Sequence, residues 1–420
     1  MQPLLRAGGI LAVGLLLAGC APRPAGRAGT AMTRRPKGVP RPGTAWFTTV
    51  PAARVPARME LPALTTLSMV TGNTGWGASQ SQVFWTDTGW RSWTAVTPSR
   101  LPSGSTLVLD AVDATTAWVG VAADTANTPA PLYLTVDHGK TWRRMAVPGS
   151  IDGLAWPHFF SAKVGYVAVG MVGTMGSETM VIQATGDGGE HWHTLRSSIS
   201  PAMVTAGHLP PPAAHHIPFF GDKSGMVWAT PSDGWISGGY VGPVSGGGML
   251  YRTTDKGATW LPVALPGRGA NAPQWVLPPV FSSAAYGVVP VKIGPGLYVI
   301  DQTHDGGAAW TEGAALSWEM AGGSLWAFSG VSDGLAVSKI LNGENTGVAT
   351  SALYRTTDGG RSWTKVLTNL PLDAVTAITL VGGSLAYASC SPGHGGVLWE
   401  SGNGGSSWTP ISAASSGQLP

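Results

Sequence analysis

Beyond the N-terminal segment, the chain alternates short apolar or β-branched runs with clusters of Gly, Asp, Ser and Thr. Runs such as Trp118-Val119-Gly120-Val121, Tyr166-Val167-Ala168-Val169 and Leu353-Tyr354-Arg355-Thr356 predict short strands bounded by turns. No segment outside the N-terminus carries the 3.6-residue apolar period of an amphipathic helix. The one long apolar stretch, Gly8 to Ala18, has eleven residues. That is too short to span a bilayer and suits a signal-peptide core.

The polar clusters repeat. Thr135-Val136-Asp137-His138-Gly139-Lys140-Thr141-Trp142 recurs with its Asp at Asp187, Asp255, Asp305 and Asp358, and with Asn403 in its place in the last copy. The first copy, read from Asp87, Gly89, Ser92 and Trp93, carries one extra residue. The seven central residues are spaced by 50, 50, 68, 50, 53 and 45 positions. A period near fifty marks a propeller or solenoid. Upstream of each box lies a small residue followed by a large one: Gly75-Trp76, Ala117-Trp118, Gly165-Tyr166, Gly234-Trp235, Ala285-Tyr286, Gly334-Leu335 and Ser384-Leu385. In the first copy this pair is only 11 residues from the box, which requires a very short intervening loop. Physically, the Asp suits a tight turn because its carboxylate accepts nearby backbone N–H groups. The Gly supplies positive φ. The Trp opens the next strand and buries a large ring.

These residues resemble the Asp-box, or bacterial neuraminidase repeat, superfamily over roughly residues 60 to 412. The superfamily includes sialidases, xyloglucan-degrading glycosidases, sortilin-type receptors and photosystem II assembly factors. The pattern is most similar to photosystem II assembly/stability-factor-like and sortilin-like propellers. The resemblance implies an all-β fold, a single seven-bladed β-propeller of four-stranded antiparallel blades over residues 45–412, with a tail at 413–420. It gives the box residues Asp87, Asp137, Asp187, Asp255, Asp305, Asp358 and Asn403 a structural role at the rim. It implies either a non-enzymatic binding or assembly scaffold, or a sialidase- or xyloglucanase-like glycoside hydrolase.

Composition changes this picture at the N-terminus. Leu17-Ala18-Gly19-Cys20 after the apolar core resembles a lipobox, so residues 1–19 read as a lipoprotein signal peptide and Cys20 as the acylated residue. Residues 20–44 are rich in Pro and Arg and read as an extended tether. The expected location is outside the cell, lipid-anchored to the outer face of the membrane or facing the periplasm. Formal net charge is +3, but eight cations lie in 21–58, and residues 59–420 hold sixteen Lys plus Arg against twenty-two acids. An acidic folded part argues against nucleic acid as partner. Cys20 and Cys390 are the only cysteines, so acylation of Cys20 leaves no internal disulfide. Cys390 ends a strand and reads as a buried apolar residue.

Candidate binding residues follow from topology. Loops from second to third strands, and crossings between blades, form the face opposite the boxes. The 68-residue period puts the largest insertion within Ser197 to Ser224, with His208, His215, His216 and Asp222; Glu178, Glu344 and His394 lie in loops of the same face. The histidines match no standard zinc spacing, so no metal or cofactor is expected. A carboxylate pair from Asp110, Asp113, Asp152, Asp222, Glu178 or Glu344 would favour a glycosidase. The Arg-Ile-Pro motif of sialidases is missing, and Arg91, Arg143, Arg144, Arg252, Arg355 and Arg361 flank boxes. No catalytic residue is therefore assigned. The expected partner is a protein or a glycan, engaged by a monomer.

Overall fold

A computed structural model describes residues 47–54, 59–102, 104–122, 131–148, 154–169, 173–174, 177–178, 180–198, 217, 221–239, 247–267, 272–294, 297–317, 325–338, 351–391, 397–411 and 414–415. The chain forms seven antiparallel blades arranged as a β-propeller. Each blade runs outward from an inner strand to an outer one. Blade 2, for example, comprises Thr106–Ala111, Ala117–Ala122, Pro131–Thr135 and Thr141–Ala146. The inner strands of blades 1, 3, 4, 6 and 7 are Thr66–Met69, Leu154–Phe159, Asp222–Trp228, Leu325–Ser329 and Val375–Val381. That of blade 5 is broken into Trp275–Val276 and Val280–Phe281, both paired with Gly287–Gly294. Prolines 278 and 279 fall in the break, where they remove ladder N–H groups. One 3₁₀ turn, Leu372–Ala374, is the only helical element among the described residues.

The repeated turn is built as its chemistry requires. In blade 2, Thr135 Oγ1 accepts the Gly139 N–H at 2.9 Å and donates to Asp137 Oδ1 at 2.7 Å. The Asp137 carboxylate accepts the Thr141 N–H at 3.0 Å and its hydroxyl at 2.6 Å. His138 and Gly139 have φ of 63° and 83°, the paired left-handed geometry of a hairpin that follows strand twist. Asn403 preserves the pattern through Oδ1, which accepts the Ser407 N–H at 2.9 Å.

The first copy differs from the sequence reading. Its left-handed pair is Gly89 and Trp90, with φ of 62° and 65°, and Thr88 bonds the Ser92 N–H at 2.8 Å. Thr88, not Asp87, therefore stands where Asp137 stands, and this copy has no extra residue. Asp87 is exposed beside it. A hydroxyl oxygen serves because the turn asks only for an acceptor at that place. Trp90 occupies a position that favours glycine, and burial of its ring against Leu64 and Gly77 offsets the strain. The short loop expected in this blade is Ser79–Gln82, closed by the Ser79 N–H on the Gln82 carbonyl at 2.9 Å.

Each small–large pair leads the second strand of its blade, and several of the large residues reach the next blade. Trp76 Nε1 donates to the Asp113 carbonyl at 2.8 Å, Trp118 Nε1 to that of Ser161 at 3.1 Å, and Tyr166 Oη to that of Pro231 at 2.5 Å. Across the closure the like contact in blade 7 comes from Tyr387, two residues beyond its small–large pair, whose Oη donates to the Gly72 carbonyl of blade 1 at 2.7 Å. The Leu64 N–H donates to Ser389 Oγ at 2.8 Å, and Arg91 pairs with Glu400 at 2.9 Å. All four strands of blade 7 come from the C-terminal part of the chain.

The termini add strands at the rim. Thr48–Pro51 adds an outermost strand to blade 2, pairing antiparallel with Thr141–Ala146. Ala414–Ser415, within the stretch read as a tail, pairs in parallel with the outer strand of blade 1.

Candidate functional site

A cavity of about 570 Å³ occupies the axis where the inner strands converge. Six blades contribute, through Leu67, Asp110, Trp156 and His158, Trp228, Phe281 and Trp326 among others. Ala111, Ala229 and Ser282 to Ala284 also line it. These lie where inner strands end and turn into second strands, so the cavity lies toward the face that carries the Asp turns. Its walls are largely apolar, with Trp156, Trp228, Phe281 and Trp326 and four prolines among aliphatic residues, and with Ser and Thr hydroxyls between them. Trp228 is held by stacking on Tyr166, with centroids 3.7 Å apart and planes 7° from parallel. Pro157, Pro278 and Pro279 add rigid apolar surface.

Two titratable side chains line this cavity, Asp110 and His158. Both are half-buried, with their exposed surface facing the cavity. Asp110 Oδ2 accepts the Phe159 N–H at 2.5 Å, a bond from blade 2 to an inner-edge N–H of blade 3. Removal from bulk water pushes the Asp110 carboxyl up to about 7, against the opposing effect of that hydrogen bond. Burial likewise lowers the His158 imidazole to about 4, although its hydrogen bond to the Trp228 backbone favours the charged form. Between roughly pH 4 and pH 7 both groups are therefore uncharged. The Ser282 hydroxyl, also on the lining, is buried with no hydrogen-bond partner among the described residues. The cavity thus offers a carboxylic O–H within a largely apolar wall.

Of the residues singled out from sequence, Asp110 lies in this cavity. Asp113 does not: its carboxylate accepts the N–H groups of Thr115 and Thr116 at 2.8 and 2.7 Å in a turn of the box face. Asp222 begins the inner strand of blade 4, opposite Gly239, at the other end of the channel. Glu178 belongs to a small hairpin, Gly173–Thr174 with Ser177–Glu178. Cys20, Asp152, His208, His215, His216, Glu344 and His394 lie outside the described residues, as do the signal peptide and most of the tether. Cys390 is buried in blade 7, as expected. Among the described residues no three His, Cys, Asp or Glu side chains come together as a metal cluster, and no helix is long and apolar enough to cross a membrane. His158, Trp156, Trp228 and Trp326 were not singled out from sequence. In the sequence they are ordinary strand residues, and only convergence of the inner strands makes them neighbours.

No protein-family model matches the chain, and no curated protein matches it. Solved structures do. A structure titled YCF48 bound to D1 peptide superposes with a TM-score of 0.52 at 14% identity, over 84% of this chain and 97% of that one. YCF48 from Cyanidioschyzon merolae gives 0.50 at 15% identity, over 85% and 98%. The GH74 xyloglucanase from Xanthomonas campestris gives 0.53 at 16% identity, over 87% of this chain and 55% of that one. At such identities the likeness is one of fold, and it joins a peptide-bound protein and a polysaccharide-degrading enzyme alike.

Proposed function

We propose that this protein is a lipid-anchored, non-enzymatic binding or assembly scaffold at the cell surface. Its axial cavity receives an uncharged group of a protein or an envelope glycan. The observation that carries this reading is the cavity itself, largely apolar with four aromatic residues on its lining, and uncharged between about pH 4 and pH 7. Such a lining suits an apolar side chain or the apolar face of a sugar ring, oriented by a hydrogen bond to Asp110. A peptide complex on a similar fold supports the scaffold reading.

A second reading has its own support. A carboxyl group held protonated near neutrality has the property of a general acid, so Asp110 would be the proton donor of a glycoside hydrolase acting on extracellular polysaccharide.

The test places a photo-crosslinking side chain at Ala284, which is exposed on the cavity lining, and separately at Leu367, which is 89% exposed and not on that lining. Adducts to one defined protein or glycan from Ala284 alone support the scaffold. Equal adducts from both positions contradict it. Release of reducing sugar from xyloglucan or a sialylated oligosaccharide, lost in Asp110→Asn, would replace the scaffold with the hydrolase. For location, Cys20→Ser is expected to move the protein from the membrane fraction to the soluble one.

A further inference from the structure

The inner strand of blade 3 is distorted where it meets the axial cavity. Its ladder register shifts between Ala155 and His158, and Trp156 adopts a φ of 50°. A bulge gives up ladder bonds, and left-handed backbone is strained for tryptophan. Both fall at residues that line the cavity. The seam between blades 2 and 3 also holds the cavity's one acid and its one histidine. Asp110 Oδ2 accepts the Phe159 N–H at 2.5 Å, and Phe159 follows His158, so the two side chains lie next to one another.

Their hydrogen bonds within the protein leave one donor and one acceptor over. With Oδ2 taken by Phe159, the proton of the Asp110 carboxyl sits on Oδ1, which has no protein partner among the described residues. One ring nitrogen of His158 donates to the Trp228 backbone, so in the neutral imidazole the other is a bare acceptor. No Lys or Arg lines the cavity among the described residues. An anionic ligand would therefore be buried there without a counter-charge. An uncharged amide complements the pair, since it carries both a carbonyl and an N–H. An acetamido group brings one of each, whereas a peptide segment brings such a pair with every residue, more than Asp110 and His158 can satisfy. Leu67 and Val280 on the lining suit the acetyl methyl, and the half-buried Phe281 and Trp326 suit the C–H groups of a sugar ring.

We propose that the axial cavity binds the acetamido group of an uncharged N-acetylated amino sugar of an envelope glycan, its carbonyl accepting from Asp110 and its N–H donating to His158. The inference rests on the reading of this cavity as the binding site and narrows its ligand to one class. Ionisation of Asp110, which stays protonated up to about pH 7, removes the donor and sets a carboxylate against the carbonyl. Binding therefore weakens as pH rises through 7. The strands packed against Thr106–Ala111 are Gly75–Ala78, Ala117–Ala122 and Leu154–Phe159, and His158 is the one titratable group on them. It gains charge only toward pH 4. Asp113, in the turn that follows Asp110, lies outside the cavity with its carboxylate held by Thr115 and Thr116.

The experiment uses the lipidated full-length protein in detergent micelles and isothermal titration calorimetry at pH 6. The probes are the β-1,4 trimer of N-acetylglucosamine, the β-1,4 trimer of glucose, and N-acetylneuraminic acid, which keeps the acetamido group but adds a carboxylate. The first is expected to bind at least about tenfold more tightly than either of the others, the difference that one hydrogen bond or one unpaired charge makes. From pH 6 to pH 8.5 its Kd should rise about tenfold or more in the wild type, and Asp110→Asn, which keeps an N–H donor at every pH, should flatten that dependence. Ala284→Trp, at the exposed mouth of the cavity, should weaken binding about tenfold, while Leu367→Trp, outside the lining, should not. The comparison of sugars on the wild type stands even where a variant does not fold. Equal binding of the glucose trimer overturns the inference and leaves the scaffold reading in place. Binding indifferent to both pH and Ala284→Trp, or no binding of any of the three, also overturns it. Cleavage of the N-acetylglucosamine trimer, read by mass spectrometry, would support the ligand and overturn the non-enzymatic reading instead.

Discussion

Replacement of Asp110 by Asn is expected to change how stability depends on pH. The Asp110 carboxyl has an ordinary value of 3.8 and is raised to about 7 in the folded protein. The folded state therefore binds this proton more tightly than the unfolded chain. Its contribution is complete below pH 3.8 and is lost as pH rises through 7. At about 1.4 kcal/mol per unit the full loss is about 4 kcal/mol, and the part between pH 5 and pH 8 is about 2.6 kcal/mol. Because the carboxyl is only half-buried, solvent screening reduces this to about 2 kcal/mol. Asn has nearly the same shape and keeps an oxygen to accept the Phe159 N–H, but it does not titrate. His158 acts in the opposite sense. It is lowered from 6.5 to about 4, so its contribution is present above pH 6.5 and is lost as pH falls toward 4. That contribution is common to both proteins and cancels in their difference. Urea unfolding followed by tryptophan fluorescence at pH 5, 6, 7 and 8 is the assay. Asp110→Asn should gain about 2 kcal/mol on the wild type between the first and last pH. A constant difference would refute the reasoning: Asp110 would then be ionised at neutral pH, and the uncharged cavity behind the proposed function would not exist.

Two further outcomes follow from the rim. Val50→Ala removes two buried carbons from the strand covering blade 2, a loss of about 2 kcal/mol once the cavity is included. Calorimetry checks the size, and faster amide exchange in Thr141–Ala146 checks the place. In blade 4 the Asp255 carboxylate accepts the Thr259 N–H at 2.8 Å and its hydroxyl at 2.7 Å. Asp255→Ala should lower stability by about 1–2 kcal/mol, and Asp255→Asn by less, because Asn403 makes the same turn. Burial raises the Asp255 pKa, but the hydrogen bonds outweigh it and hold the carboxyl below 3.8. Its stabilisation is thus present above 3.8 and lost as pH falls through the lowered value, so the Asp255→Asn difference should vanish in strong acid, which denaturation curves would record.

The repeat, the strand–turn–strand unit and the propeller were legible in the chain because they rest on local chemistry. The Thr hydroxyl, the Asp carboxylate and the left-handed Gly act within one turn, so their spacing survives in sequence. Locality also sets the limit of that reading. In the first copy Asp87 looked like the turn acid, yet Thr88 makes the bond, because backbone geometry rather than residue type decides which side chain faces inward. Asp110 could be recognised as an acid, but not as one held protonated by its surroundings. Its hydrogen-bond partner is Phe159 on the next blade, and the wall around it comes from strands spread from Leu67 to Trp326. The coverings at the rim were equally hidden, since Thr48–Pro51 and Ala414–Ser415 find their strands only after the ring has formed. The sequence by itself determined the blades, since each blade folds from contiguous residues. Only the tertiary structure decided the cavity, the ring closure and the added strands at the rim, since each depends on residues far apart in the chain that meet only around the axis or across the rim.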